Sequence, residues 1–184
     1  MIVVGCDPGL RNCGFAVFEY VPGGPHDTVL MTTTAKTDTT IPMVNRMQKI
    51  WRVAHYLMRE HEPALVVIED QAGAFAGKQK EKKTNAKALW LRDVCGIVMA
   101  EAFAVGAAVG NVTPQQAKIA VLGQGSRSAD KKQIMRMVEA ITKRRLNEHE
   151  ADAFAIGLAG ARRFAAAVTR SKQQSLPQPK EKTQ

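Results

Sequence analysis

Four residues in this chain have the types and settings of a phosphate-handling site: Asp7, Glu69, His149 and Asp152. Asp7 ends the apolar run Ile2-Val3-Val4-Gly5-Cys6 and is followed at once by Pro8-Gly9, a turn with a fixed proline φ and a permissive glycine. Glu69 ends a second apolar run, Ala64-Leu65-Val66-Val67-Ile68, and Asp70 follows it. His149 and Asp152 are three apart at the start of a helical pattern, so they project from one face with Cβ atoms about 5–6 Å apart. A carboxylate on a buried strand end costs several kcal/mol unless something positive meets it. If the two strand ends are neighbours, three carboxylates and an imidazole converge, and that set suits a pair of hard divalent ions. Mg²⁺ prefers oxygen ligands, and Mn²⁺ tolerates a histidine. Two such ions about 3.5–4 Å apart activate water and stabilise the leaving oxygen in phosphodiester hydrolysis. Taken singly, each residue has a plainer role: Asp7 capping its turn, Glu69 ending a surface strand, His149 solvated in a first helical turn.

The elements that must position these groups follow from periodicity. Ile2–Val4, Phe15–Tyr20 and Thr28–Thr34 read as strands joined by short turns, an antiparallel meander. Pro42 opens a helix to about Glu60 with an apolar stripe of Met43, Met47, Ile50, Trp51, Ala54, Leu57 and Met58. After the strand ending at Glu69, a lysine-rich loop leads into a helix from about Thr84 to Val105, then a brief strand, Val109–Val112. Thr113-Pro114-Gln115-Gln116 is a helix-start signature, and that helix stops at Gly123. Further helices are predicted from about Ala129 to Arg145 and from Glu148 to about Ala167, the second opened by a cap at Asn147. This order predicts a mixed sheet with helices packed on it, an α/β or α+β fold. The domain is expected over residues 1–168, with 169–184 a disordered basic tail.

Composition narrows the partners. The 184 residues carry a net charge of +9, with an isoelectric point near 9.7. Lys78, Lys80, Lys82, Lys83 and Lys87 crowd one stretch, and Lys131, Lys132, Arg136, Lys143, Arg144 and Arg145 another. Clusters of this kind predict a surface that tracks a phosphate backbone. No apolar run is long enough to span a membrane and no secretory signal is visible, so a cytoplasmic protein is expected. The three cysteines, Cys6, Cys13 and Cys95, form no CxxC pair and read as reduced structural thiols.

The segments Gly5-Cys6-Asp7-Pro8-Gly9, Pro63–Glu69 and His149-Glu150-Ala151-Asp152-Ala153-Phe154-Ala155-Ile156 resemble, in order and spacing, the RuvC family of Holliday-junction resolvases. Gln115-Gln116-Ala117-Lys118, Gly123-Gln124-Gly125 and Lys131 are similar to that family's basic segment. The resemblance spans about residues 1 to 165. It implies a ribonuclease-H-like fold with a five-stranded mixed sheet, a symmetric homodimer, and Mg²⁺-dependent paired nicks in four-way DNA junctions. It further implies metal-ligand roles for Asp7, Glu69, His149 and Asp152, with Lys118 and Lys131 facing scissile or nearby phosphates. Relatives place an aromatic wedge two or three residues after the strand-end glutamate. Here those positions are Gln71 and Ala72, and Phe75 comes later as the candidate wedge. The longer, lysine-rich loop is similar to phage-encoded and viral members and opens the substrate range to other branched DNA. Two other readings stand beside this one. A junction-binding protein without cleavage would keep the acids for structure. A strand followed by Asp-x-Gly also opens actin-like and sugar-kinase ATP-binding proteins, which need a second domain that 184 residues do not supply.

Overall fold

A computed structural model describes residues 1–24, 28–70, 86–123 and 130–174. The described residues form five strands, β1 (Ile2–Asp7), β2 (Asn12–Glu19), β3 (Thr28–Lys36), β4 (Leu65–Glu69) and β5 (Ala108–Val112). They also form five helices, α1 (Met43–His61), α2 (Ala86–Ala104), α3 (Pro114–Leu122), α4 (Lys131–Thr142) and α5 (Glu148–Gln174). The sheet order is β3-β2-β1-β4-β5. The β1–β2 and β2–β3 pairs are antiparallel, as the short turns predict, and β1–β4 and β4–β5 are parallel.

Both faces of the sheet's centre are covered, which is why β2, β1 and β4 are buried at consecutive positions rather than alternate ones. Val4, Cys6, Phe15, Val17, Val66 and Ile68 pack with Ile50, Ala54 and Leu57 of α1 and Val94 and Val98 of α2. Val3, Ala16, Phe18, Leu65 and Val67 pack on the other face with Phe154, Ile156 and Leu158 of α5 and with residues of α3 and α4. Phe18 and Phe154 meet there with ring centroids 4.9 Å apart. The α5 backbone from Ala151 to Ala161 is buried almost all round apart from Asp152, because α3 and α4 cover the side that the sheet leaves open.

The helix boundaries correct three expectations. α4 is shorter than predicted: it starts at Lys131 after a capping box at Asp130, and Lys143 ends it in the left-handed region. α5 is longer, and residues 169–174, expected in a disordered tail, are helical; alanines 165–167 carry the helix past the core without a breaker. In α1 the apolar stripe is narrower than read. Trp51 is 40% exposed and its indole N–H donates to Glu101 Oε1 of α2 at 2.6 Å. Arg46 is instead buried, donating to Thr37 Oγ1 and to the Leu10 carbonyl. Cys6 and Cys13 are buried free thiols, as expected, and no helix among the described residues is long and apolar enough to cross a membrane.

Candidate active site

Register brings the two strand-end acids together. β1 and β4 run parallel with Cys6 opposite Ile68, so Asp7 and Glu69 follow side by side at the carboxyl end of the sheet. Side chains alternate faces along a strand. Val3 and Val67 face α5, and Asp7 and Glu69 fall on the same alternation, on the face that α5 covers.

The start of α5 delivers the other two groups. Asn147 caps it in a reciprocal box: its Oδ1 accepts from Glu150 N at 3.1 Å, and its own N–H donates to Glu150 Oε2 at 3.1 Å. Thr34 of β3 and the Asn147 side chain are hydrogen-bonded, which ties the cap to the sheet. The helix then lies directly on the strands because two positions there lack a side chain. A Cβ on Gly14 would stand 2.2 Å from the His149 carbonyl oxygen, and one on Gly5 would stand 2.0 Å from that of Ala153. Glycine at these positions is a requirement of close approach.

The result is a cavity of about 360 Å³ lined by Asp7, Glu69, His149, Asp152, Lys118, Lys131 and Glu148, with Ala117, Ile134, Ala155 and Ile156 as its apolar wall. His149 Nδ1 lies 2.9 Å from Asp7 Oδ2, and both side chains are largely covered, at 33% and 18% exposure. Burial raises the Asp7 carboxyl above the usual aspartate range, and the His149 hydrogen bond opposes that rise without cancelling it. Asp152 is pushed up to about 6 by burial first and by the Asp7 charge second. Lys131 and Glu148 form an ion pair across the mouth, which raises the lysine and lowers the glutamate.

Six of the predicted residues therefore share one cavity: Asp7, Glu69, His149, Asp152, Lys118 and Lys131. Lys132 is exposed beside Lys131 and does not line it. Lys78, Lys80, Lys82, Lys83 and the candidate wedge Phe75 lie outside the described residues. Asp70 does not line the cavity either; its backbone N–H donates to the Val112 carbonyl at 2.7 Å. Glu148 was not foreseen. Its only sequence signal was an acid at the first helical position directly before His149.

The donor set fits a hard divalent cation: three carboxylates and one imidazole, with two of the acids carrying a burial cost that the surrounding groups leave uncompensated. Among the described residues no three such groups stand close enough to grip one ion as they are. Like-charged carboxylates repel, and Asp7 is engaged by His149.

Known proteins resemble this chain along most of its length. The family model described as "Crossover junction endodeoxyribonuclease RuvC" matches residues 3–160. A Nocardioides protein of that name is 32% identical over 183 residues, covering 95% of this chain and 97% of its own. One from Rhodococcus opacus is 35% identical over 155 residues, covering 83% and 75%. Among solved structures, Thermus thermophilus RuvC superposes with a TM-score of 0.72 at 28% identity, covering 92% of this chain and 97% of that one. The same protein in complex with a Holliday junction substrate gives 0.71 at 26%, covering 91% and 96%.

Proposed function

The chain belongs to the RuvC family of crossover junction endodeoxyribonucleases, and from that premise we propose that it cleaves four-way DNA junctions by paired, divalent-metal-dependent phosphodiester hydrolysis. The observation that carries this reading is the shared cavity of Asp7, Glu69, His149 and Asp152, rimmed by Lys118 and Lys131. Two half-buried acids with raised proton affinity are a poor structural device and a good cation site. We take Mg²⁺ as the working ion, two per site, with Mn²⁺ able to substitute at a site that includes an imidazole.

Asp7, Glu69, Asp152 and His149 would hold the ions. When bound, they supply Lewis-acid stabilisation of the phosphate and a more acidic water. The protein's own part is positioning and proton control. With His149 Nδ1–H donating to Asp7 Oδ2, the Nε2 lone pair is left for a cation or for a proton of the attacking water. Lys118 and Lys131 bring positive charge to the phosphate oxygens, where negative charge grows during the reaction. The apolar wall of Ala117, Ile134, Ala155 and Ile156 limits competing water and strengthens each of these interactions.

Two nicks in one junction need two such sites, so we read the active form as a homodimer. Exposed apolar side chains on α1 and α2, among them Trp51, Leu89, Trp90 and Phe103, support an association surface there. The +9 charge supports a polyanionic substrate. The assay is cleavage of labelled four-way, three-way and linear duplexes with Mg²⁺ and Mn²⁺ in parallel. Paired nicks in the four-way junction are expected. Absence of cleavage on every branched substrate, or undiminished cleavage by Asp7→Asn, would sink the assignment.

A further inference from the structure

Lys131 and Lys132 occupy the first two positions of α4, directly after the N-cap Asp130, whose carboxylate is taken up by the Gln133 N–H. A helix amino end attracts anions and repels cations, so these lysines are placed against the local field. An anion reached from outside the helix offsets that placement. In this structure the Lys131 ammonium finds one within the chain, the Glu148 carboxylate, from the first position of α5. Glu148 differs from Lys131 in this respect. It stands where its own helix favours negative charge and needs no cation to remain there.

The pair lies at the mouth of the cavity, with the side chains 69% and 44% exposed. The other groups facing it are Asp7, His149 and Asp152, whose charges reach Lys131 or Glu148. A carboxylate and a phosphodiester present the same feature to an ammonium group, two oxygens sharing one negative charge. We propose that Glu148 is an internal stand-in for the substrate phosphate: it holds Lys131 across the cavity and must yield it when DNA enters. Glu148 is thus a positioning residue that acts through Lys131. It keeps the ammonium aimed at the cleavage position and opposes engagement by phosphates that cannot displace it. The proposal rests on the nuclease reading of the cavity.

Glu148→Gln keeps the side chain's shape and removes its charge. An exposed ion pair is worth little, so release of Lys131 should tighten binding of a fluorescent four-way junction roughly two- to fivefold, measured by anisotropy with EDTA present. In Mg²⁺ the KM for cleavage should fall by a similar factor, with kcat changed less. Paired with Lys131→Gln, the gain from Glu148→Gln should largely vanish. Equal gains in both backgrounds would overturn the proposal, because they would mark simple removal of a repelling charge. No gain in either background would overturn it too. So would weakened Mg²⁺ binding by calorimetry in Glu148→Gln, which would make Glu148 a cation ligand instead. Glu148→Ala serves as a second variant with the same expected direction. A wild-type chain that neither binds nor cuts the junction would overturn the nuclease reading itself, a result separable from all of these.

Discussion

Asp7 and Asp152 sit in a cavity where burial disfavours their charge, and Asp152 carries the larger resolved consequence, a pKa of about 6. An ordinary aspartate in the unfolded chain titrates near 3.9. Between these values the folded protein binds more protons at Asp152 than the unfolded one, so this group's contribution to stability falls as pH rises from about 4 to 6. The burden then persists at neutral pH. Asp152→Asn should therefore stabilise the chelated protein at pH 7.5 by about 1 kcal/mol, allowing for the cavity's open mouth, and the gain should shrink at pH 4. On the proposed metal-site reading, Mg²⁺ should raise the melting temperature of the wild type and do so less in this variant, because a cation held there would offset the charge. A melting series at three pH values, with and without Mg²⁺, tests both. For catalysis, Asp7→Asn should lower kcat about a hundred- to thousandfold, the scale of removing several kcal/mol of transition-state stabilisation. His149→Asp keeps a donor at the same place and should retain more activity than His149→Ala. Single-turnover cleavage rates decide that comparison.

At the scale of elements, the site depends on how closely α5 lies on β1 and β2. The glycines that allow this are not in loops. They stand in the strands, Gly5 under Ala153 and Gly14 under His149. A side chain at either place meets backbone rather than a flexible side-chain end, so the helix itself must move. Gly14→Ala should then cost about 1–3 kcal/mol of stability and, separately, shift the start of α5 away from Asp7. A kcat loss larger than that of an equally destabilising substitution elsewhere in the core, measured below both melting transitions, would identify the displacement. The Asn147 cap acts on the same helix end. Asn147→Ala should cost about 1 kcal/mol and weaken Mg²⁺ binding, since it frees both Glu150 N–H and the tether to Thr34.

For the whole molecule, the proposed function divides affinity, carried by charge, from chemistry, carried by the cavity. Lys118 and Lys131 stand at the cavity, while the lysines at 78, 80, 82 and 83 belong to a segment whose contribution is tested by binding alone. Lys118→Ala should weaken junction binding and reduce the slope of log affinity against log salt by about 1. Charge-neutral replacement of the four lysines together should reduce that slope by about 3–4 and leave single-turnover kcat nearly unchanged. Sedimentation of the free protein and of its junction complex tests the homodimer.

Much of this was legible in the chain. Runs of β-branched residues ending in Asp7 and Glu69 mark two strands with an acid at the same end. The box at Asn147–Glu150 marks the helix that carries His149 and Asp152. These are local signals, because strand alternation, capping and i, i+3 spacing act between neighbours in sequence. Adjacency of Asp7 and Glu69 was only conditional until the parallel β1–β4 register joined strands some sixty residues apart. The Gly5 and Gly14 contacts and the exposure of Trp51 were likewise hidden, since each depends on what a distant element covers. Glu148 is the clearest case. In sequence it is one more acid in a first turn, and only the packing of α4 beside α5 sets it against Lys131. The sequence by itself determined which residues have the chemistry and which local elements carry them. The tertiary structure alone decided which of them share a cavity, because burial and charge coupling are properties of distances that the chain does not encode locally.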